Sequence, residues 1–206
     1  EFRRVLFRSG GAAVTNNSGS ISSQVSANVA AGFSIVTYTG TGANATVGHG
    51  LGVTPAMIFS KFRGSNVADS GFWDVYHKNL NTAEYFLKLN TTDSQMAAAS
   101  VWNSTAPTNS VYSIGSASGT NALAGGTYVA YCWAPVAGYS AFGAYTGNGS
   151  ADGPFIYTGF RPRFLMIKSS TEATSWLVYD SSRNTYNSTG ANLRPNLSDA
   201  EGTQTP

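Results

Sequence analysis

Short runs in which aromatic or β-branched residues alternate with polar ones fill most of this chain, and glycine-rich turns separate them. Phe33–Thr39 alternates in this way and stops at Gly40-Thr41-Gly42, which predicts a strand followed by a turn. Residues 46–51 form a short candidate strand, and Pro55 opens another at 56–62, where proline is tolerated at a strand start but not inside one. In 72–77, Trp73, Val75 and His77 fall on one face and Phe72, Asp74 and Tyr76 on the other. Residues 85–90, 111–114 and 127–135 complete the set, and 95–101 is the one helical candidate, because no period of 3.6 persists for three turns. Short strands without intervening helices predict an all-β antiparallel sandwich of jelly-roll-like form.

The pattern is written twice. Gly32-Phe33-Ser34, Tyr38-Thr39-Gly40, Gly52, Pro55, Lys61, Trp73 and Tyr76 recur as Gly138-Tyr139-Ser140, Tyr145-Thr146-Gly147, Gly159, Pro162, Lys168, Trp176 and Tyr179, at offsets of 106, then 107, then 103. A unit this long suits one small β-domain rather than a solenoid repeat, so two tandem β-sandwich domains are expected, at 32–137 and 138–206. In the second, 139–145, 154–158, 163–168 and 175–180 match the first four strands, and 193–199 roughly matches 87–93. A counterpart of the strand at 127–135 is missing, so the second domain reads as truncated, with unpaired edges and an open core. Residues 10–31, rich in Ser, Asn, Gly and Ala with only a weak spacing of Ile21, Val25 and Val29, read as a linker from an upstream domain.

Residues 1–9 resemble the in-frame translation of a common short-read sequencing adapter and are set aside as an artefact. That changes the electrostatics. Removing Arg3, Arg4, Arg8 and Glu1 takes Lys+Arg from 12 to 9 and Asp+Glu from 10 to 9, so the net charge falls from +2 to 0. The remaining charge balance gives no argument for nucleic acid or an anionic membrane. Charged residues are 11% of the chain, far below the usual share, while 42% hydrophobic and 13% aromatic content can bury a core. The single cysteine, Cys132, permits no internal disulfide and lies in an apolar run, where a small core residue is the expectation. No apolar run is long enough for a membrane helix, so membrane insertion is not expected.

Candidate chemistry is sparse. Glycoside hydrolysis needs two carboxyl groups a few ångströms apart. Asp74 aligns with Leu177 and Asp180 with His77, so neither acid is duplicated, and Asp93 sits in a Ser/Thr-rich turn. His49 and His77 are the only histidines, too few for a triad or a zinc cluster. The run 148–153 supplies one carboxylate and no closing glutamate, so it reads as a turn rather than a calcium loop. No catalytic residue, cofactor or metal is assigned, and the chain is expected not to be an enzyme. Aromatic rings flanked by amides and hydroxyls suit sugar binding as well as protein interfaces. On that basis Trp102 and Asn103, in a loop-like polar stretch, are the candidate ligand-binding residues, together with Tyr76 and Tyr179 on the repeated strand.

The stretches 31–40, 47–51, 128–133 and 138–150, with Tyr157-Thr158-Gly159-Phe160-Arg161-Pro162 and the Trp176, Tyr179, Asp180 and Arg183 pattern, resemble a repeat domain of tail and virion proteins of marine tailed bacteriophages. The resemblance covers nearly everything from about Thr15 onward. It implies a structural protein of a virion appendage, plausible as a tail fibre engaged in host recognition, and carries no catalytic residues. The expectation is therefore a non-enzymatic structural or adhesion module in an extracellular virion appendage. Its expected partners are a host surface glycan or envelope component and further copies of itself. Two alternatives stand beside it: a carbohydrate-depolymerising domain of the same fibre, and a secreted bacterial surface-adhesion protein.

Overall fold

The computed structural model describes residues 10–64, 71–150, 152–183 and 190–203. It is nearly all β. The strands are β1 (Val14–Asn16), β2 (Ser23–Asn28), β3 (Phe33–Thr39), β4 (Ala45–Gly48), β5 (Met57–Phe62), β6 (Trp73–His77), β7 (Tyr85–Lys88), β8 (Met96–Ala97), β9 (Val111–Ile114), β10 (Thr127–Trp133), β11 (Phe164–Ile167), β12 (Leu177–Asp180), β13 (Ala191–Asn192) and β14 (Gly202–Thr203). One short helix, α1 (Ala99–Trp102), stands where the sequence offers its one helical candidate. Among the described residues no helix is long and apolar enough to cross a membrane.

The main sheet has eight strands in the order β1-β2-β3-β10-β5-β6-β7-β8, with antiparallel pairing throughout. A two-stranded ribbon, β4-β9, and α1 cover one face and make the sandwich. The period of two sorts every strand cleanly. Val36 and Tyr38, Ile58 and Phe62, Tyr76, and Tyr128, Ala130 and Cys132 point into the core beneath the ribbon. Phe33, Phe59, Val75, Leu87 and Trp133 point to the opposite face, called here the outer face. Tyr38 and Tyr128 stack at 5.4 Å in the inner core, and Tyr38 Oη donates to Thr120 O at 2.6 Å, tying the loop after β9 to the sheet.

Residues 10–31 are not a linker. β2 runs antiparallel along β3 from Phe33 to Tyr38, and β1 along β2, so the segment supplies two strands of the main sheet. Ile21 and Val25 are buried in the inner core, whereas Val29, in the 3-10 turn Val29–Ala31, is 58% exposed. Main-chain pairing holds the strand, and two small apolar side chains at the right parity suffice to orient it.

In the second unit the stretches 139–145 and 154–158 form no strand, contrary to the sequence expectation. Their counterparts in the first unit, β3 and β4, are held by β2, β10 and β9; no strands pair 139–145 or 154–158, and an isolated extended segment gains too little to fix itself. What does recur is the central hairpin. Phe164↔Asp180 and Leu165↔Tyr179 pair in the register of Met57↔His77 and Ile58↔Tyr76, residue for residue under the repeat offsets. The third strand follows too, since Val178 bridges Leu193 as Val75 pairs Leu87. Even a side-chain lock is repeated: Trp73 N donates to Asn90 Oδ1 at 3.1 Å and Trp176 N to Asn196 Oδ1 at 3.0 Å. This hairpin packs on the first unit, with Trp176 buried in the outer cluster and its Nε1 donating to Lys88 O at 2.9 Å.

Candidate functional site

The four aromatic and amide candidates do not come together. Trp102 is 1% exposed, because the single turn of α1 directs its indole into the inner core. There it meets Tyr76 edge-on at 6.0 Å, and Tyr76 is itself 7% exposed. The expectation of an exposed binding aromatic at Trp102, and of an accessible ring at Tyr76, is therefore corrected: both are core. Asn103 caps α1 in the left-handed conformation at φ 50° and accepts from Asn44 Nδ2 at 2.7 Å, so its amide is occupied in holding two loops together. Tyr179 is half-buried on β12, in a separate two-stranded sheet.

The outer face offers a different arrangement. At the β2–β3 end lies an open groove of about 240 Å³, lined by Ser22, Gln24, Thr37, Thr39, Arg63 and Thr127. Parity places these side chains opposite the core, and the insertion of β10 between β3 and β5 brings Arg63, just past β5, near Thr39 and Thr127. Gln24, an exposed residue, donates from Nε2 to Thr15 Oγ1 at 3.0 Å, which restrains its amide. The hydroxyls of Thr37, Thr39 and Thr127 make no hydrogen bond among the described residues, and exposed Arg63 makes no ion pair there. Farther along the same face, outside the groove, the half-exposed rings of Trp73 and Tyr131 stack at 6.1 Å with 23° between planes and pack against the outer cluster. Lys61, one row in, turns its Nζ to Phe62 O at 2.7 Å, and burial lowers its pKa. The groove thus offers a cation, an amide and several hydroxyls.

The titratable groups elsewhere serve the fold. Asp74 is buried on the inner face, against Gly119. Asp93 accepts from Thr91 Oγ1 at 2.9 Å in its own turn. Asp180 takes Arg183 Nε at 2.6 Å; burial opposes its ionisation, but the hydrogen bonds and charge of Arg183 outweigh that and lower its pKa. These three acids lie on different elements. His49 is fully buried, its Nδ1 accepting from Leu51 N at 3.2 Å and its Nε2 beside Thr108 O at 3.2 Å, and burial lowers its pKa. Cys132 is fully buried at the centre of the main sheet opposite Ser34, and burial pushes its thiol up to about 12. Among the described residues no three His, Cys, Asp or Glu side chains cluster as metal ligands would.

The groove escapes a reading of the sequence because none of its residues is unusual where it stands. The available signal was polar alternation at Ser22, Gln24 and Ser26 and again at Thr37 and Thr39, which becomes a site only when the strand order is known. No curated protein and no solved structure matches the chain. A single family profile spans both copies of the hairpin, matching residues 6–206, and the chain belongs to that family, described as a domain of unknown function (DUF7483).

Proposed function

We propose that this chain is a non-enzymatic structural and adhesion module of a tail-fibre-like bacteriophage appendage, and that it holds a host surface glycan in the groove of the outer face. The observation that carries the glycan reading is the juxtaposition, in one open groove, of unbonded threonine hydroxyls, the Gln24 amide and Arg63. A sugar ring presents a rim of hydroxyls that need donors and acceptors. The Arg63 guanidinium, without an ion pair among the described residues, favours sugars bearing a carboxylate, which it can grip in bidentate fashion. The low charge and the abundance of Gly, Ser, Thr, Asn and Tyr support an exposed appendage outside a cell. The virion assignment itself rests on the resemblance of the repeat.

A glycan array and a host-cell binding assay test the reading, with the chain beside its Gln24→Ala/Arg63→Ala double variant. Both residues are exposed, so the variant keeps its fold. Retention of acidic glycans that weakens about tenfold or more in the variant is expected, since charge-assisted hydrogen bonds contribute about 1.5–3 kcal/mol each. Absence of binding across glycans and host envelopes would sink the adhesion role, and binding indifferent to the variant would move the site away from the groove.

A further inference from the structure

The two copies of the repeat share a turn that differs in one reactive residue. Tyr38-Thr39-Gly40-Thr41-Gly42 in the first unit corresponds to Tyr145-Thr146-Gly147-Asn148-Gly149 in the second. The backbone is alike at its pivot, with Gly42 at φ 74° and Gly149 at φ 71°. The local hydrogen bond is alike as well: Ala43 N donates to Thr41 Oγ1 at 3.4 Å, and Ser150 N to Asn148 Oδ1 at 3.1 Å. In the first unit the turn is also held from outside. Thr41 N donates to Asn121 Oδ1 at 2.7 Å, and a Cβ on Gly40 would crowd Tyr128, Leu123 and Asn121. In the second, Asn148, Gly149 and Ser150 are exposed, and a Cβ on Gly147 or Gly149 would meet no atom within 4 Å among the described residues.

An asparagine followed by glycine is the pairing in which the second residue's backbone nitrogen can reach the first residue's side-chain amide with no Cβ in its way. Asn148-Gly149 is the chain's one such pair. The hydrogen bond from Ser150 N polarises the Asn148 amide carbonyl and stabilises the negative charge that its oxygen gains under attack. We propose that Asn148 is a site of spontaneous covalent modification, at which the chain converts its own amide into a carboxylate. The deprotonated Gly149 nitrogen bonds to Asn148 Cγ, the Cγ–Nδ2 bond breaks, and Nδ2 takes a proton from water and leaves as ammonia. Water then opens the five-membered imide at either carbonyl, which yields aspartate or its β-linked isomer. Water is the only co-reactant, and nothing is oxidised or reduced. The departing Nδ2 is the atom that donates to Asp152 O at 2.9 Å, so the reaction also removes the bond that ties Asn148 to Asp152. Each event adds a negative charge to an exposed stretch.

The test is incubation of the chain at physiological temperature across about pH 6 to 8, followed by peptide mapping with mass detection. The peptide holding Asn148 is expected to gain about one mass unit and to split into two chromatographic forms. Its rate should rise about tenfold per pH unit, as the population of the deprotonated nitrogen does. Asn17 and Asn44, exposed but followed by Ser18 and Ala45, are the internal references and should stay unconverted. Gly149→Ala sets a Cβ beside the attacking nitrogen and into open space, and should abolish the mass gain. Asn148→Gln, which keeps the amide but would need a six-membered ring, should abolish it too. Conversion at Asn148 no faster than at Asn17 or Asn44 would overturn the proposal. So would a rate indifferent to pH, or one undiminished in Gly149→Ala.

Discussion

Replacing Trp176 with alanine isolates the contact that holds the second hairpin on the first unit. The ring is 5% exposed within the outer cluster, and Nε1 reaches Lys88 O across the two units at 2.9 Å. A buried aromatic hides roughly 150–250 Å², which at about 25 cal/mol per Å² corresponds to about 4–6 kcal/mol as an upper bound. Truncations of buried Trp or Phe to Ala cost about 3–5 kcal/mol. Among the described residues the hairpin's other hydrogen bonds to the first unit are Gln95 N to Ser170 O at 2.8 Å and Lys168 Nζ to Thr92 O at 3.4 Å, beside the packing of Met166 and Phe142 on the outer cluster. Trp176→Ala is therefore expected to weaken docking by about 3–5 kcal/mol. Trp176→Phe, which keeps most of the burial and removes the indole donor, should cost about 1–2 kcal/mol. Hydrogen exchange and denaturant titration provide the assay. Protection at 164–167 and 177–180 should collapse in Trp176→Ala, while β3, β10 and β5 retain theirs and a separate low-denaturant transition appears. Uniform loss of protection across the main sheet would refute the reasoning, and so would unchanged protection in the hairpin.

His49 makes stability fall in acid. Its pKa is lowered by burial from the ordinary 6.5, so above that value it is neutral folded and unfolded alike; as pH falls through 6.5 only the unfolded chain takes up the proton. His77, lowered by burial and by Lys78, acts in the same direction. The urea midpoint should hold near pH 7 to 8 and decline between about pH 6.5 and 5, and a midpoint that is flat or rising across that window counts against neutral buried histidines. Cys132, with its thiol pushed up to about 12 by burial, should react with a disulfide reagent at pH 8 only as fast as the main sheet opens. Rapid labelling of the native chain would show that the thiol is accessible after all.

Strand alternation was legible wherever one face of a strand meets a core. Phe33–Thr39 and Val111–Ile114 form strands at the limits the sequence predicts, and the two faces of β6 are those read from parity. The repeat was legible down to hairpin register, because Trp73, Tyr76, Trp176 and Tyr179 mark it on both copies. Local polarity misleads at Trp102: polar neighbours describe the loop around α1, whereas the direction of one helical turn decides where the indole goes. Residues 10–31 mislead for the opposite reason, since their hold on the sheet is mostly main-chain hydrogen bonding, which leaves little trace in side-chain type. The groove depends on which strands are neighbours, and β3, β10 and β5 are adjacent despite being far apart in the chain.

That same strand order has a consequence for how the chain folds. β10 is the last strand of the main sheet to leave a ribosome, yet it is the seam between β1-β2-β3 on one side and β5-β6-β7-β8 on the other. Until it arrives, both halves present raw edges, at β3 and at β5, and the Tyr38–Tyr128 stack that centres the core has only one of its rings. Loop closure over such long separations is slow, and exposed edges are where chains stick to one another. Synthesis of this protein therefore passes through an interval of greatest vulnerability that ends abruptly with one seven-residue segment, Thr127–Trp133.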